Sequence, residues 1–229
     1  MITGIFRGDF MISLIKKDLK LSVKINIFAV FYALFVSASG LINGNPFVAN
    51  ILYVLSIIMF TFITVLYVNG YDDKYKSEII LNSFPIDRRD IIRGKYISLI
   101  IFILISSGAI IIFTNMLPRI LSKEGKVGAN IYTLIIAANI LLLFYSIYYP
   151  FYFKIGGGLK TFNTILWLLL VIGPNLLVKA FKALDQKGLL EKLMNIDFDK
   201  INLYMLVISL IIYYLSLQMS KKIYMKKEF

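Results

Sequence analysis

Three arrangements in this chain have residue types suited to chemistry. Gly156-Gly157-Gly158 could present backbone N–H groups to a phosphate. Eleven charged side chains fall between Asp72 and Lys95 and set carboxylates beside cations at short spacing. Serines are scattered through long apolar runs, where a neighbouring lysine would make one a nucleophile. The glycine run lacks a preceding strand signal and the full Gly-x-x-x-x-Gly-Lys-Ser/Thr pattern of a nucleotide loop, so it reads as a flexible turn. No Asp, Glu, Lys or Arg falls within the apolar runs, so a serine there has no base, and an ion or proton relay has no working group. The chain has no Cys and no His, which excludes disulfides, Cys or His metal sites and histidine acid–base chemistry. The charged stretch remains, and its use must come from where it is held.

It is held between membrane-length flanks. Nothing from Ile25 to Tyr71 is charged, and Tyr96 to Pro118 is equally bare. The 229 residues are 59% hydrophobic and 17% charged, against about 45–50% and about 25% in soluble domains. About twenty residues cross the hydrocarbon, so the first run is too long for one helix, and Asn43-Gly44-Asn45-Pro46 divides it. The expected spans are 25–42, 47–68, 97–117 (ended by Pro118), 131–149 (ended by Pro150), 161–178 and 202–219. The fold class is therefore all-α: a single polytopic membrane domain of six transmembrane helices. Six spans leave both termini on one side, and 17 of the 25 Lys and Arg residues lie there, which makes that side cytoplasmic. The net charge of +12 sits at span ends, where orientation and anionic lipid head groups explain it, so nucleic acid is not the expected partner. The first apolar run begins behind a basic segment without a small-residue cleavage site, which argues against a cleavable signal peptide.

Three segments frame the spans. Residues 10–24 are amphipathic, with Met11, Ile12, Ile15, Leu19 and Val23 on one face and Lys16, Lys17, Lys20 and Lys24 beside it, as expected of an N-terminal helix lying in the inner interface. Residues 69–96 form a cytoplasmic loop. Lys74 to Ser83 permits a short helix, Pro85 stops it, and Asp87 with Asp90 reads as a capping pair for the helix entering the third span. Residues 179–201 carry apolar side chains among charges and read as an external amphipathic segment. Tyr67, Tyr71, Tyr96, Tyr145, Tyr148, Tyr149, Phe151 and Tyr152 cluster at span ends, as in an interfacial aromatic belt.

Two stretches resemble the membrane subunits of type-2 ABC exporters, especially small bacterial permeases of the phenol-soluble-modulin and lantibiotic-immunity kind. Leu14-Ile15-Lys16-Lys17-Asp18-Leu19 is similar to that family's elbow helix. Asp72-Asp73-Lys74, with Ser83-Phe84-Pro85-Ile86-Asp87-Arg88-Arg89-Asp90 through Lys95-Tyr96, is similar to its first cytoplasmic loop. The resemblance implies a paired permease, homodimer or heterodimer, above separate nucleotide-binding ATPase subunits that carry the ATP and Mg. It implies that the helix before Pro85 is a coupling helix docking into the ATPase. The expected docking residues are Glu78, Ile79, Leu81, Ser83, Phe84, Pro85, Arg88 and Arg89, with Lys16, Lys17 and Asp18 in support from the elbow.

The expected function is outward transport of amphipathic or hydrophobic cargo across the bacterial plasma membrane, peptides first among them, by alternating access at the dimer interface. The chain itself is expected to do no bond chemistry and to hold no cofactor or metal. The alternative from another class is a non-transporting pore or scaffold.

Overall fold

The computed structural model describes residues 3–42, 46–84, 87–120, 128–155, 164 and 198–227. The triple glycine, Pro85, the fifth expected span apart from Thr164, and the external segment apart from 198–201 lie outside them. Five long helices and one short helix make up the described elements: α1 (Thr3–Ile42), α2 (Pro46–Lys74), α3 (Ser77–Ser83), α4 (Arg88–Ile120), α5 (Ile131–Ile155) and α6 (Phe198–Met225). Helices α2, α4, α5 and α6 are each long and apolar enough to cross a membrane.

Helix α1 differs from the expected elbow followed by a separate span. It runs unbroken for 40 residues, with no boundary near residue 24. The cause is local: no Gly or Pro stands between Asp9 and Ser39, so nothing stops propagation once the helix has formed. Its inward stripe is Leu14, Asp18, Ser22 and Ala29, all buried, while Ile27, Phe28, Phe31 and Phe35 face outward and are exposed. The helix therefore turns polar groups in and aromatic groups out, the reverse of a soluble helix and the arrangement a lipid solvent favours. The inward groups find partners: Asn26 Nδ2 donates to Ser22 Oγ at 3.2 Å, and Thr64 Oγ1 on α2 donates to Asn26 Oδ1 at 2.9 Å.

Helix α2 is central, packing against α1, α4 and α5. It starts on Pro46, whose missing N–H costs nothing in a first turn. Its hydroxyls also close inside the bundle, Thr61 Oγ1 pairing with Ser106 Oγ of α4 at 2.7 Å. At the far end Gly40 lets α1 approach α2. A Cβ there would stand 2.8 Å from Cε1 of the fully buried Tyr53 ring. Gly40→Val is expected to lower stability by about 1–3 kcal/mol through overpacking, read as an earlier thermal transition of the detergent-solubilised protein. An unshifted transition would show that the two helices part without cost.

Two prolines expected to end spans do not. Helix α4 continues past Pro118 to Ile120, and α5 continues through Pro150 to Ile155. At Pro150 the reason is visible. Proline cannot donate to the carbonyl four residues back, and that carbonyl, Ser146 O, instead accepts a 2.6 Å hydrogen bond from Ser216 Oγ of α6. Helix α5 begins on a reciprocal cap, Thr133 N donating to Asn130 Oδ1 at 3.0 Å and Asn130 N to Thr133 Oγ1 at 3.2 Å.

Cross-helix hydrogen bonds set direction. Asn139 and Ser146 of α5 meet Ser209 and Ser216 of α6 at one constant offset of 70 residues, so these helices run parallel. Helix α2 runs antiparallel to both α1 and α4, with Asp72 beside Lys17 and Lys95 and Thr64 and Thr61 pairing further along. The start of α1 and α4 and the ends of α2, α5 and α6 thus gather at one end, together with α3.

Candidate docking site at the basic end of the bundle

Helix α2 does not fade into a loop. It ends at Lys74, turns at Tyr75 and Lys76, and restarts as α3. Lys76 adopts a left-handed conformation (φ 49°, ψ 39°), which a non-glycine residue enters only at some cost. After α3, Phe84 is extended (φ −84°, ψ 154°). Asp87 then caps α4 as its sequence position implies, its Oδ1 accepting from Arg89 N at 2.9 Å and its carbonyl from Asp90 N at 2.8 Å. Asp90, expected to complete the capping pair, turns its carboxylate to Arg93 at 3.0 Å.

No residue of α3 is buried. Ile79, Ile80 and Phe84 are 57%, 52% and 53% exposed, large apolar side chains on a seven-residue helix and the residue that ends it, at the charged end of the protein. Ile80 was not among the expected docking residues. The signal for it was the triplet Ile79-Ile80-Leu81, which a helix must split between faces at 100° per residue. Leu81 is the member that packs toward the core. Ser83 is exposed and bonds back to Ile80 O at 2.7 Å.

The expected charged members are engaged within the chain. Glu78 accepts from Lys227 Nζ through both carboxylate oxygens at 2.9 Å. Arg88 Nη1 donates to Lys227 O at 3.0 Å, and Arg89 Nε to Met225 Sδ at 3.4 Å. Ile79, Ile80 and Phe84 are thus left exposed at the corner, while Glu78, Arg88 and Arg89 are tied to the residues at the end of the last helix.

Behind α3 lies a four-charge lattice that sequence reasoning missed. Lys95 Nζ sits 2.6 Å from Asp72 Oδ2 and 3.3 Å from Asp18 Oδ2. Lys17 Nζ sits 2.8 Å from Asp72 Oδ1 and 3.3 Å from Asp18 Oδ1. Two cations alternate with two anions, and the lattice joins α1, α2 and α4. Asp18, Asp72 and Lys95 are buried. Of the expected elbow contributors, Lys16 faces solvent while Lys17 and Asp18 turn inward. The residues paired across helices lie 23 to 77 positions apart (95−72 and 95−18), and local pattern cannot pair charges at that range. A cavity of about 40 Å³, with room for a water or two, separates α3 from the lattice and is lined by Asp72, Asp73, Glu78, Lys95, Tyr152 and Tyr224.

The aromatic belt needs correction. Tyr67, Tyr71 and Phe151 are exposed, but Tyr96, Tyr145, Tyr148, Tyr149 and Tyr152 are buried inside the protein. Tyr96 is enclosed by the rings of Tyr149 and Tyr213, each 4.8 Å away. Its hydroxyl meets Ser216 and Ser220 at 2.8 Å, and its carbonyl accepts from Tyr213 at 2.8 Å. Tyrosine serves here because its ring fills the core while its hydroxyl finds a partner on another helix. The result ties α4 and α5 to α6 at the level of the lattice.

Among the described residues no group of three or more acidic side chains is placed to hold a metal ion. What the arrangement offers is mechanical: an apolar exposed handle that continues from α2 and is tied to the end of α6. No curated protein and no solved structure matches the chain. Residues 13–225, which take in the handle, the lattice and every apolar helix after it, match the family model described as ABC-2 family transporter protein, and the chain is a member of that family of membrane transporter subunits.

Proposed function

We propose that this chain is the permease subunit of an ATP-driven exporter and that α3 is the helix its ATPase partner grips. A permease of this family works with an ATP-binding subunit. The observation that carries the assignment of the contact is the exposure of Ile79 and Ile80 on a short helix with no buried residue, and of Phe84 directly after it, at the end of the bundle rich in Lys and Arg. Exposed apolar clusters on an otherwise charged surface mark protein contacts, and a helix seated in a groove is read through such anchors. Leu81 faces the core behind them, Ser83 lies on the exposed side, and Pro85 follows immediately in sequence as the corner.

Closure of the ATPase moves α3, and the rigid corner passes that motion to α1, α2, α4 and α6 as bodies. Two copies of the permease enclose the path, and alternating access follows from their relative motion. Six spans cross the plasma membrane of a bacterium with both termini inside. Helix α5 ends at the corner while the parallel α6 begins at the opposite end, which supports a crossing by the span expected over 161–178. The N-terminal half of α1 takes the place of the elbow. The cargo is amphipathic or hydrophobic, with peptides the leading class, because the described apolar helices carry hydroxyls and amides but place their charges at the ends.

The test is reconstitution with its ATP-binding partner subunit. Amphipathic peptides added to proteoliposomes should raise ATP hydrolysis several-fold and leave the vesicle interior of origin only when ATP is present. Flux that proceeds without ATP would mean a pore instead.

A further inference from the structure

The orientation of α3 is not explained by α3 itself. Seven residues without a buried side chain are too few to hold a helix in place in water. Its fixed points lie elsewhere, on the last turn of α6 and the two residues that follow it. Glu78 and Lys227 pair at 2.9 Å through both carboxylate oxygens. Asn82 Nδ2 donates to Tyr224 OH at 2.9 Å, one helical turn along the same face. Tyr224 is itself 1% exposed and stands edge-on to Phe153 of α5 at 5.6 Å, so its hydroxyl is a fixed post. The same turn holds the start of α4, Arg88 donating to Lys227 O and Arg89 to Met225 Sδ. Tyr224 to Lys227 therefore grip both arms of the corner, before and after Pro85.

We propose that Tyr224 and Lys227 are positioning residues for the ATPase contact. They clasp α3 so that Ile79, Ile80 and Phe84 are presented together, and the clasp stays closed through the transport cycle. Helix α6, whose contact with α3 joins residues 142 positions apart, then moves with α3 as one body. The assignment rests on the proposed docking of α3. It adds that the presenting face is set by the last helix, and that Glu78 acts through Lys227 instead of reaching the partner.

Three measurements on the permease–ATPase complex test it. Lys227→Glu and Glu78→Lys should each weaken ATPase binding about fivefold, in keeping with loss of a partly exposed ion pair, while the paired exchange Glu78→Lys/Lys227→Glu restores binding. Tyr224→Phe should weaken it with unaltered maximal ATP hydrolysis, a change in affinity without a change in turnover. Because the chain has no cysteine, Glu78→Cys/Lys227→Cys provides a clean cross-link in native membranes. The oxidised pair should form readily and keep cargo-stimulated ATP hydrolysis. If the exchange fails to rescue, or if the cross-link abolishes stimulation that reductant returns, the clasp proposal falls. If wild type itself binds no ATPase, the docking assignment falls first, while formation of the cross-link still reports on the clasp geometry.

Discussion

Lys95→Met is expected to be the most damaging single substitution in the charge lattice. It removes the cation that faces both Asp18 and Asp72 and leaves two buried carboxylates sharing Lys17 alone. Breaking a buried ion pair by deleting one partner costs about 3–5 kcal/mol, because the remaining charge keeps its desolvation penalty. Like charges brought to one site add to that cost. The variant should lose its cooperative thermal transition in mild detergent or show it far below wild type. A second variant separates charge from shape. Neutralising all four members (Lys17→Met, Asp18→Asn, Asp72→Asn, Lys95→Met) should recover most of the stability, since a lattice replaced as a whole leaves no charge stranded. If Lys95→Met melts like wild type, the lattice is hydrated and does not bind the three helices together.

The recovered quadruple variant should nevertheless be defective in transport. Complementary charges specify one register among several that apolar packing would tolerate. In this molecule they fix α1, α2 and α4 at the height where α3 attaches.

The second large effect concerns the exposed handle. Ile80→Asp, and likewise Phe84→Asp, should weaken ATPase binding by at least about 2 kcal/mol, roughly thirtyfold, as for a buried apolar anchor at an interface centre. Both side chains are more than half exposed in the permease alone, so folding should be altered by no more than about 0.5 kcal/mol. Binding is read by co-purification at graded ATPase concentration, and folding by the thermal transition of the isolated permease. Wild-type affinity in either variant would place the ATPase contact elsewhere. A variant that loses binding and stability together would instead mark these residues as part of the fold.

The largest features were legible because they are local. Charge-free runs of membrane length, the start of a helix at Pro46, the short helix between Lys74 and Ser83, and the cap at Asp87 each follow from neighbours within a few positions. Transfer from water to hydrocarbon is costly enough per residue that composition alone decides a membrane fold. Helix ends were less legible. Pro150 stands inside α5 because Ser216, 66 positions later, occupies the carbonyl that proline leaves open.

Charge and aromatic placement show the division most plainly. The sequence by itself determined that charges and tyrosines gather at the ends of the apolar segments, because burial without a partner is prohibitive. Only the tertiary structure decided which of them face the interface and which face one another. Asp18, Asp72 and Lys95 each look like surface charges in their own segment, and Tyr96 and Tyr149 look like members of a belt. Antiparallel and parallel packing bring them together from three or four helices, where a cation meets two anions and a hydroxyl meets a serine. Pairing energy depends on distances set by helix register, and register is a property of the assembled bundle that no single segment contains.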